Sequence, residues 1–471
     1  MIKKICALFF LIYFCFSPFV LMAQKLPPER SLAIENVCLI DAVNPSPQPN
    51  KTVLIVGNRI KAIGEKGKVS IPKGATIING EGKYLIPGLW DAHVHLNSGK
   101  TFLPLFVANG ITCVREMGGD LEQVKRLREQ IAKGELLGPR IKMAGTIIES
   151  EKWLNWATNL ARKDNDAGAL EKLSKRIGVT TPEQGREAVR KLAAAGVDLI
   201  KVRNSPSAET FLAIEDEAKK YNLPVAAHAP PMDLAVASNG GLTSIEHTET
   251  VAVAMRNQDL QTVAKSFVQN KTWYTPTLVI GVNWRLEPKE KLYELIGDTE
   301  GKIDERNRYM PLAILQDWKN QLEMQKNEGS YDWAAQTRKG MSEFRQMQAA
   351  GVGVLAGTDF GTVLIYPGFS LHDELEALVK EGGLSPFEAL QAATKNPAYF
   401  FNMQNELGTI ETGKIADLVL LTANPLENIS NTKKISSVIL NGKLLNELDL
   451  ELLKETTKEQ IQKENNSQKN K

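Results

Sequence analysis

Five histidines occur in this 471-residue chain, and four of them stand where they could act together. His93 and His95 form a His-x-His pair. Residues two apart on a β-strand face the same side, so both imidazoles could approach one metal ion. Lys201 ends the run Val197-Asp198-Leu199-Ile200, and His228 ends Pro224-Val225-Ala226-Ala227. His247 ends Leu242-Thr243-Ser244-Ile245-Glu246, and Asp359 follows Val352-Gly353-Val354-Leu355-Ala356-Gly357-Thr358. Each has a plainer reading when taken alone. A strand histidine is usually a satisfied core residue, a strand-end lysine is usually solvated, and an aspartate in Gly-Thr-Asp-Phe-Gly suits a turn or helix cap. Together they place six polar groups at five strand ends. Burying them in one region without a metal would carry a heavy desolvation penalty. Such nitrogen and oxygen donors suit zinc, with manganese, iron and cobalt also compatible.

The elements that must position these groups alternate along the chain. Short apolar runs stand near residues 89–95, 111–116, 141–147, 197–202, 225–228, 242–247, 273–279 and 352–358. Helical patterns lie between most of them, over 120–133, 182–195 and 207–221. The second has Thr181 as N-cap, Pro182 at the first helical position and Gly196 as its stop. Eight strands with intervening helices predict an α/β fold of the (β/α)8 TIM-barrel type, with an open doubly wound sheet as the alternative. Barrel sites form at the C-terminal strand ends, where all six residues stand. The connections 148–178 and 281–345 exceed ordinary loops and read as lids or pocket walls. The second carries Trp284, Tyr293, Tyr309, Trp318, Tyr331 and Trp333, which suit an aromatic pocket or a plain helical cover.

Both ends of the chain look different from this middle. Short runs such as Val53–Val56 and Arg59–Ile63 flank a Gly57-Asn58 turn, and similar strand signals recur at 414–421 and 437–442. Residues 24–86 and 403–447 are therefore expected to form one small β-sandwich domain beside a barrel over 87–402. Residues 448–471 remain as a polar tail, a frayed helix or a disordered segment. Residues 1–23 begin with Lys3 and Lys4, continue as an apolar run containing Pro18, and end at Ala23. This reads as a cleaved signal peptide leading to a secreted or periplasmic protein, with a retained anchor as the alternative. Its loss lowers the net charge from +2 to zero, because it carries two lysines and no acid. A near-neutral chain gives no electrostatic reason to expect nucleic acid or an anionic membrane as partner. Cys38 and Cys113 then remain, read as two buried thiols and not as a disulfide framework.

Pro87-Gly88-Leu89-Trp90-Asp91-Ala92-His93-Val94-His95, Gly357-Thr358-Asp359 and the stretch from Gly408 to Pro425 with Gly413-Lys414-Ile415-Ala416-Asp417-Leu418-Val419 resemble motifs of the amidohydrolase superfamily. The resemblance runs from about residue 30 to residue 445 and points to its imidazolonepropionase-related and Xaa-Pro dipeptidase-like branches. It implies that His93, His95 and Asp359 bind a first divalent ion, and that His228 and His247 bind a second. Lys201, N-carboxylated, would bridge the two; a single-metal site would leave it free. The implied enzyme is a metal-dependent hydrolase using a metal-activated water on an amide or cyclic amide bond, with Asp359 moving the proton.

Tyr274, His372 and Arg115 are further substrate-contact candidates. Each also has a plainer reading, respectively as a core aromatic, a helix-start residue and an internal ion-pair partner. Two departures from the family leave the small-molecule amide or peptide-like substrate unassigned. Glu116 follows Arg115 where relatives carry Asp, and 148–178 lacks histidine and the glycine-histidine-rich loop of dipeptidase-like relatives. An Xaa-Pro dipeptidase, or a non-catalytic metal- or ligand-binding protein on the same scaffold, are the competing readings. The resemblance also leaves a homo-oligomer open.

Overall fold

The computed structural model describes residues 31–97, 99–326 and 332–469. The expected signal segment lies outside them. Among the described residues no helix is long and apolar enough to cross a membrane.

The fold is α/β with parallel-strand sheets. Leu89–Val94, Ile111–Glu116 and Arg140–Met143 form a three-stranded parallel sheet. A six-stranded sheet runs Ile177–Val179, Ile148–Ser150, Ile200–Val202, Val225–Ala227, Leu242–Glu246 and Trp273–Thr275, also parallel. Its strands are short and buried on both faces, as parallel strands under helices must be. The expected strand near 273–279 stops at Thr275, and Leu278–Ile280 is helical.

The expected last strand, 352–358, makes only bridges, yet its backbone ties the two sheets together. Val354 bridges to Tyr274, and Phe360 bridges to Val94. Leu355 N donates to Tyr274 O, Ala92 N to Ala356 O, and Asp359 N to His93 O. Glycine permits this close approach: a Cβ on Gly357 would lie 2.8 Å from His93 Cβ and from Thr275 Cγ2.

The helices start where local chemistry predicts. Asp120, Thr181 and Ser207 each accept a backbone N–H at the start of Leu121–Ala132, Pro182–Ala194 and Ala208–Lys220. Thr181 and Gln184 make a reciprocal capping box.

Two distant segments, 31–87 and 418–446, enter one eight-stranded sheet. Leu418–Leu421 pairs antiparallel with Tyr84–Pro87 on one side and with Ile435–Leu440 on the other. Tyr84–Pro87 in turn pairs with Ser31–Leu39. The polar tail is helical and packs onto the rest of the chain. Glu447–Lys469 is a 23-residue helix, and Leu450, Thr457 and Ile461 are buried. Leu450 packs with Val107 and Val438, and Asn465 Oδ1 accepts from Leu312 N. One narrow stripe at helical spacing suffices to dock a polar helix. Cys38 is half-buried and Cys113 buried; both are free, and burial pushes both thiols up.

Candidate active site

His93, on the first strand of the three-stranded sheet, is fully buried, and His95 lies just beyond that strand, partly open. Asp359 Oδ1 lies 3.4 Å from His93 Nε2 and 3.2 Å from His95 Nε2. The donor atoms of these three residues lie within 4.8 Å of one another, a group that could hold a metal ion. Asp359 occupies the left-handed region, at φ 59°, which aspartate tolerates better than most residues. Asp91 sets the approach, accepting from Thr358 N at 3.0 Å, Thr358 Oγ1 at 2.7 Å and His93 N at 3.2 Å.

His247 and His228 extend the cluster. The His247 ring centroid lies 4.6 Å from that of His93 and 4.7 Å from that of His228. His247 follows Glu246 directly, and consecutive strand residues should face opposite sides. Its φ of 68° breaks the alternation, so both side chains turn inward. Such a backbone costs on the order of 1–3 kcal/mol and is found mainly at functional sites.

The imidazoles are oriented alike. His95 Nδ1 donates to Gly118 O at 2.8 Å. Thr277 Oγ1 donates to Pro276 O, so His247 Nδ1 donates to Thr277 Oγ1 at 2.9 Å. His93 Nδ1 lies 2.8 Å from Glu246 Oε2. In all three the other nitrogen is left as a donor atom for a cation. Burial lowers the pKa of His93 and His228 well below the usual range and takes His247 down to about 4, so neutral, ligating imidazoles are favoured.

The Lys201 ammonium nitrogen is buried and has no hydrogen-bond partner among the described residues. Burial pushes its pKa down to about 8, against the opposing pull of Glu246 and Asp359. Its charge acts on His93, His228 and His247, which places it at the same cluster. An orphan amine beside neutral imidazoles and a carboxylate fits a divalent-metal site once the amine is carboxylated. Burial opposes ionisation of Asp359, but His93, His247 and His95 outweigh it and hold the carboxyl well below its usual range.

The three substrate-contact candidates are not drawn into this cluster as contacts for a substrate. Arg115 is fully buried and donates to Ser244 Oγ, Thr275 Oγ1 and both Glu246 oxygens, as an internal ion pair. The Tyr274 ring packs edge-on against Phe344, away from the cluster, because alternation sends its neighbour Thr275 inward to Arg115. His372 is buried between Asn109 O and Thr432 Oγ1; Asn109 precedes the N-terminal end of Ile111–Glu116, the end opposite the cluster.

Glu246, which the sequence marks only as the strand residue before His247, is the unforeseen member of the site. The alternation of Ser244 with Glu246 was its available signal, since both bind Arg115. His95 opens onto a hollow of about 300 Å³ with Lys172 and Arg176 on its wall, and onto another of about 510 Å³ with Trp318 and Phe360.

Known proteins are similar to this chain in sequence and fold. An ochratoxinase from Aspergillus niger is 23% identical over 418 residues, covering 76% of this chain and 75% of that protein. A solved candidate prolidase from Bifidobacterium longum is 27% identical, with TM-score 0.69 over 92% of this chain and 100% of its own. A solved Xaa-Pro dipeptidase with bound methionine is 25% identical, with TM-score 0.66 over 88% of this chain and 100% of its own. The family model described as "Amidohydrolase family" matches residues 84–445. That match takes in the His-x-His strand, Asp359 and the segment returning to the terminal sheet, and the chain belongs to the amidohydrolase family.

Proposed function

We propose that this chain hydrolyses a carbon–nitrogen bond, in an amide or cyclic amide, with the aid of divalent metal. His93, His95 and Asp359 would hold one ion, His228 and His247 a second, and N-carboxylated Lys201 would join them. The donor types suit zinc. The observation that carries this reading is the convergence of Asp359 Oδ1 on both His93 and His95, beside a buried amine without a partner. Such an ion, when bound, polarises a carbonyl and lowers the pKa of water.

The chain's own residues supply the rest. Lys201 is favoured as a neutral amine just above pH 8, so its nitrogen can bond to the carbon of CO₂, lose a proton and become an anionic carbamate. Asp359 is ionised at neutral pH. With Oδ1 turned to the two histidines, Oδ2 is left to take a proton from water and return it to the leaving nitrogen. Glu246 keeps His93 in one tautomer.

Two structural readings accompany this one. The bridges from Trp273–Thr275 through Val354 and Phe360 to Leu89–Val94, with Asp198 N donating to Met143 O on the other side, support a closed eight-stranded barrel. The pairing of Leu418–Leu421 with Tyr84–Pro87 supports a smaller unit built from 24–86 and 403–447.

Metal analysis joined to a panel of amides, lactams, esters and dipeptides tests the function. Metal-replete protein should turn over an amide, and Asp359→Asn should lower kcat by about 100-fold or more. Inactivity across the panel would favour a binding protein, and full activity of Asp359→Asn would remove the proton role. The likeness to an Xaa-Pro dipeptidase favours a dipeptide as the second substrate reading, which the dipeptide arm decides.

A further inference from the structure

The strand Trp273–Thr275 runs through Pro276 and Thr277 into the helical turn Leu278–Ile280, which continues as Gly281–Arg285. Thr277 is the N-cap of that turn. The first N–H groups of a helix have no partner within it, and a threonine at this position ordinarily accepts from the second or third of them. Thr277 makes no such bond. Its hydroxyl is turned the other way, donating to Pro276 O at 2.8 Å and accepting from His247 Nδ1 at 2.9 Å.

The backbone shows what that orientation requires. Thr277 lies in the left-handed region, at φ 49° and ψ 49°, whereas an N-cap residue is ordinarily extended. A β-branched residue in that region is an outlier, and it persists only where its surroundings over-determine it. The adjoining backbone supplies part of the hold. His247 N donates to Thr275 O, and Thr248 N donates to Pro276 O.

The missing cap comes from a distant helix, Phe369–Lys380. Its Glu374 is fully buried, and Oε2 accepts from Val279 N at 2.7 Å, across 95 residues of chain. Val279 is the second helical residue, one of the two that a capping threonine would serve. The Leu278 N–H also acts on this carboxyl. Glu374 Oε1 is buried without a hydrogen-bond partner among the described residues. Such a group costs more to bury than an apolar side chain, unless the bond made by its other oxygen matters.

We infer that Glu374 is a positioning residue for His247: it caps Leu278–Ile280 in place of Thr277, and so leaves the Thr277 hydroxyl to hold His247 by Nδ1. Without Glu374 the Val279 N–H and the His247 Nδ1–H compete for one hydroxyl. A His247 released by Thr277 can carry its proton on Nε2, the nitrogen otherwise left as a donor atom for a cation. The inference rests on the metal-ligand reading of His247 above and adds the residue that fixes its tautomer.

The tautomer can be read without metal. NMR of the full metal-free chain, labelled with nitrogen-15 at histidine, shows which His247 nitrogen carries the proton near neutral pH, where burial keeps this ring neutral. The native chain should be protonated at Nδ1. Glu374→Met keeps the volume and removes the acceptor. It should move the proton towards Nε2 and weaken zinc binding by about tenfold or more, read by chelator competition. Glu374→Ala should do the same without filling the space, and Glu374→Gln, which keeps a carbonyl oxygen for Val279 N, should restore both readouts. Thr277→Val should reproduce Glu374→Met, and the two together should lose no more than either alone. Ser385→Ala removes the cap of Pro386–Ala392 instead, a bond made wholly within that helix, and should leave His247 unmoved. A folded Glu374→Met or Glu374→Ala with native His247 protonation would overturn the inference and spare the metal reading if the native chain binds zinc. An equal shift in Ser385→Ala would also overturn it. A shift confined to the Glu374 and Thr277 variants, in a chain that binds no divalent ion, would support the positioning role and sink the metal reading.

Discussion

Glu246 Oε2 accepts a hydrogen bond from His93 Nδ1 at 2.8 Å, and both side chains are fully buried. Burial opposes ionisation of Glu246, but Arg115 and His93 outweigh it and hold the carboxyl well below its usual range. A carboxylate accepts and cannot donate, so the proton of His93 sits on Nδ1 and its Nε2 faces Asp359 as a lone pair.

Glu246→Gln should therefore loosen the metal site without emptying the core. An amide can present its N–H₂ to His93 Nδ1 and favour the wrong tautomer. Metal affinity should fall about 10–100-fold, read by competition with a chromogenic chelator. Unchanged affinity would show that His93 needs no such partner.

Gly357→Ala should separate the last extended segment from the His-x-His strand. The new methyl would meet His93 N at 2.9 Å as well as two side-chain carbons, and backbone cannot yield cheaply. We expect a loss of about 1–3 kcal/mol in unfolding free energy, with weakened metal binding. A variant of native stability and full metal content would count against the tight seam.

Lys201→Ala should lower the metal-to-protein ratio while leaving His93, His95 and Asp359 as one ligand group. Reconstitution of the native chain should depend on CO₂ and improve as pH rises through about 8, where the buried amine loses its proton. Intact-mass analysis of the metal-loaded native chain, under conditions that keep the carbamate, supplies the direct reading. Full metal content in Lys201→Ala would leave the site without a bridge.

His372 predicts a pH effect away from the cluster. Burial takes its pKa down to about 4, from an ordinary value of 6.5. Between these values the unfolded chain binds more protons than the folded one, so stability rises with pH from about 4 to about 6.5 and falls on acidification. His372→Gln should flatten that part of the profile by at most about 3 kcal/mol. Chemical denaturation of metal-free protein at a series of pH values checks it, and an unaltered slope would place the proton elsewhere.

The helix starts and strand positions were legible because their causes are local. Asp120, Thr181 and Ser207 cap helices through bonds to residues three places on. The His-x-His pair was legible because alternation along one strand needs only that strand. The docked helix Glu447–Lys469 was not, since its buried stripe meets Val107 and Val438 from distant parts of the chain.

By itself the sequence determined which groups could bind metal and which strand ends present them, through residue type and short-range backbone periodicity. Only the tertiary structure decided that Glu246 and His247, neighbours in the chain, both turn inward, because that depends on a positive φ at His247 sustained by its surroundings. It also decided that Arg115 is tied to Glu246 across 131 residues, and that the tryptophans of two separate insertions share one cleft. Such pairings are set by packing between elements far apart in the chain, and no local pattern encodes them.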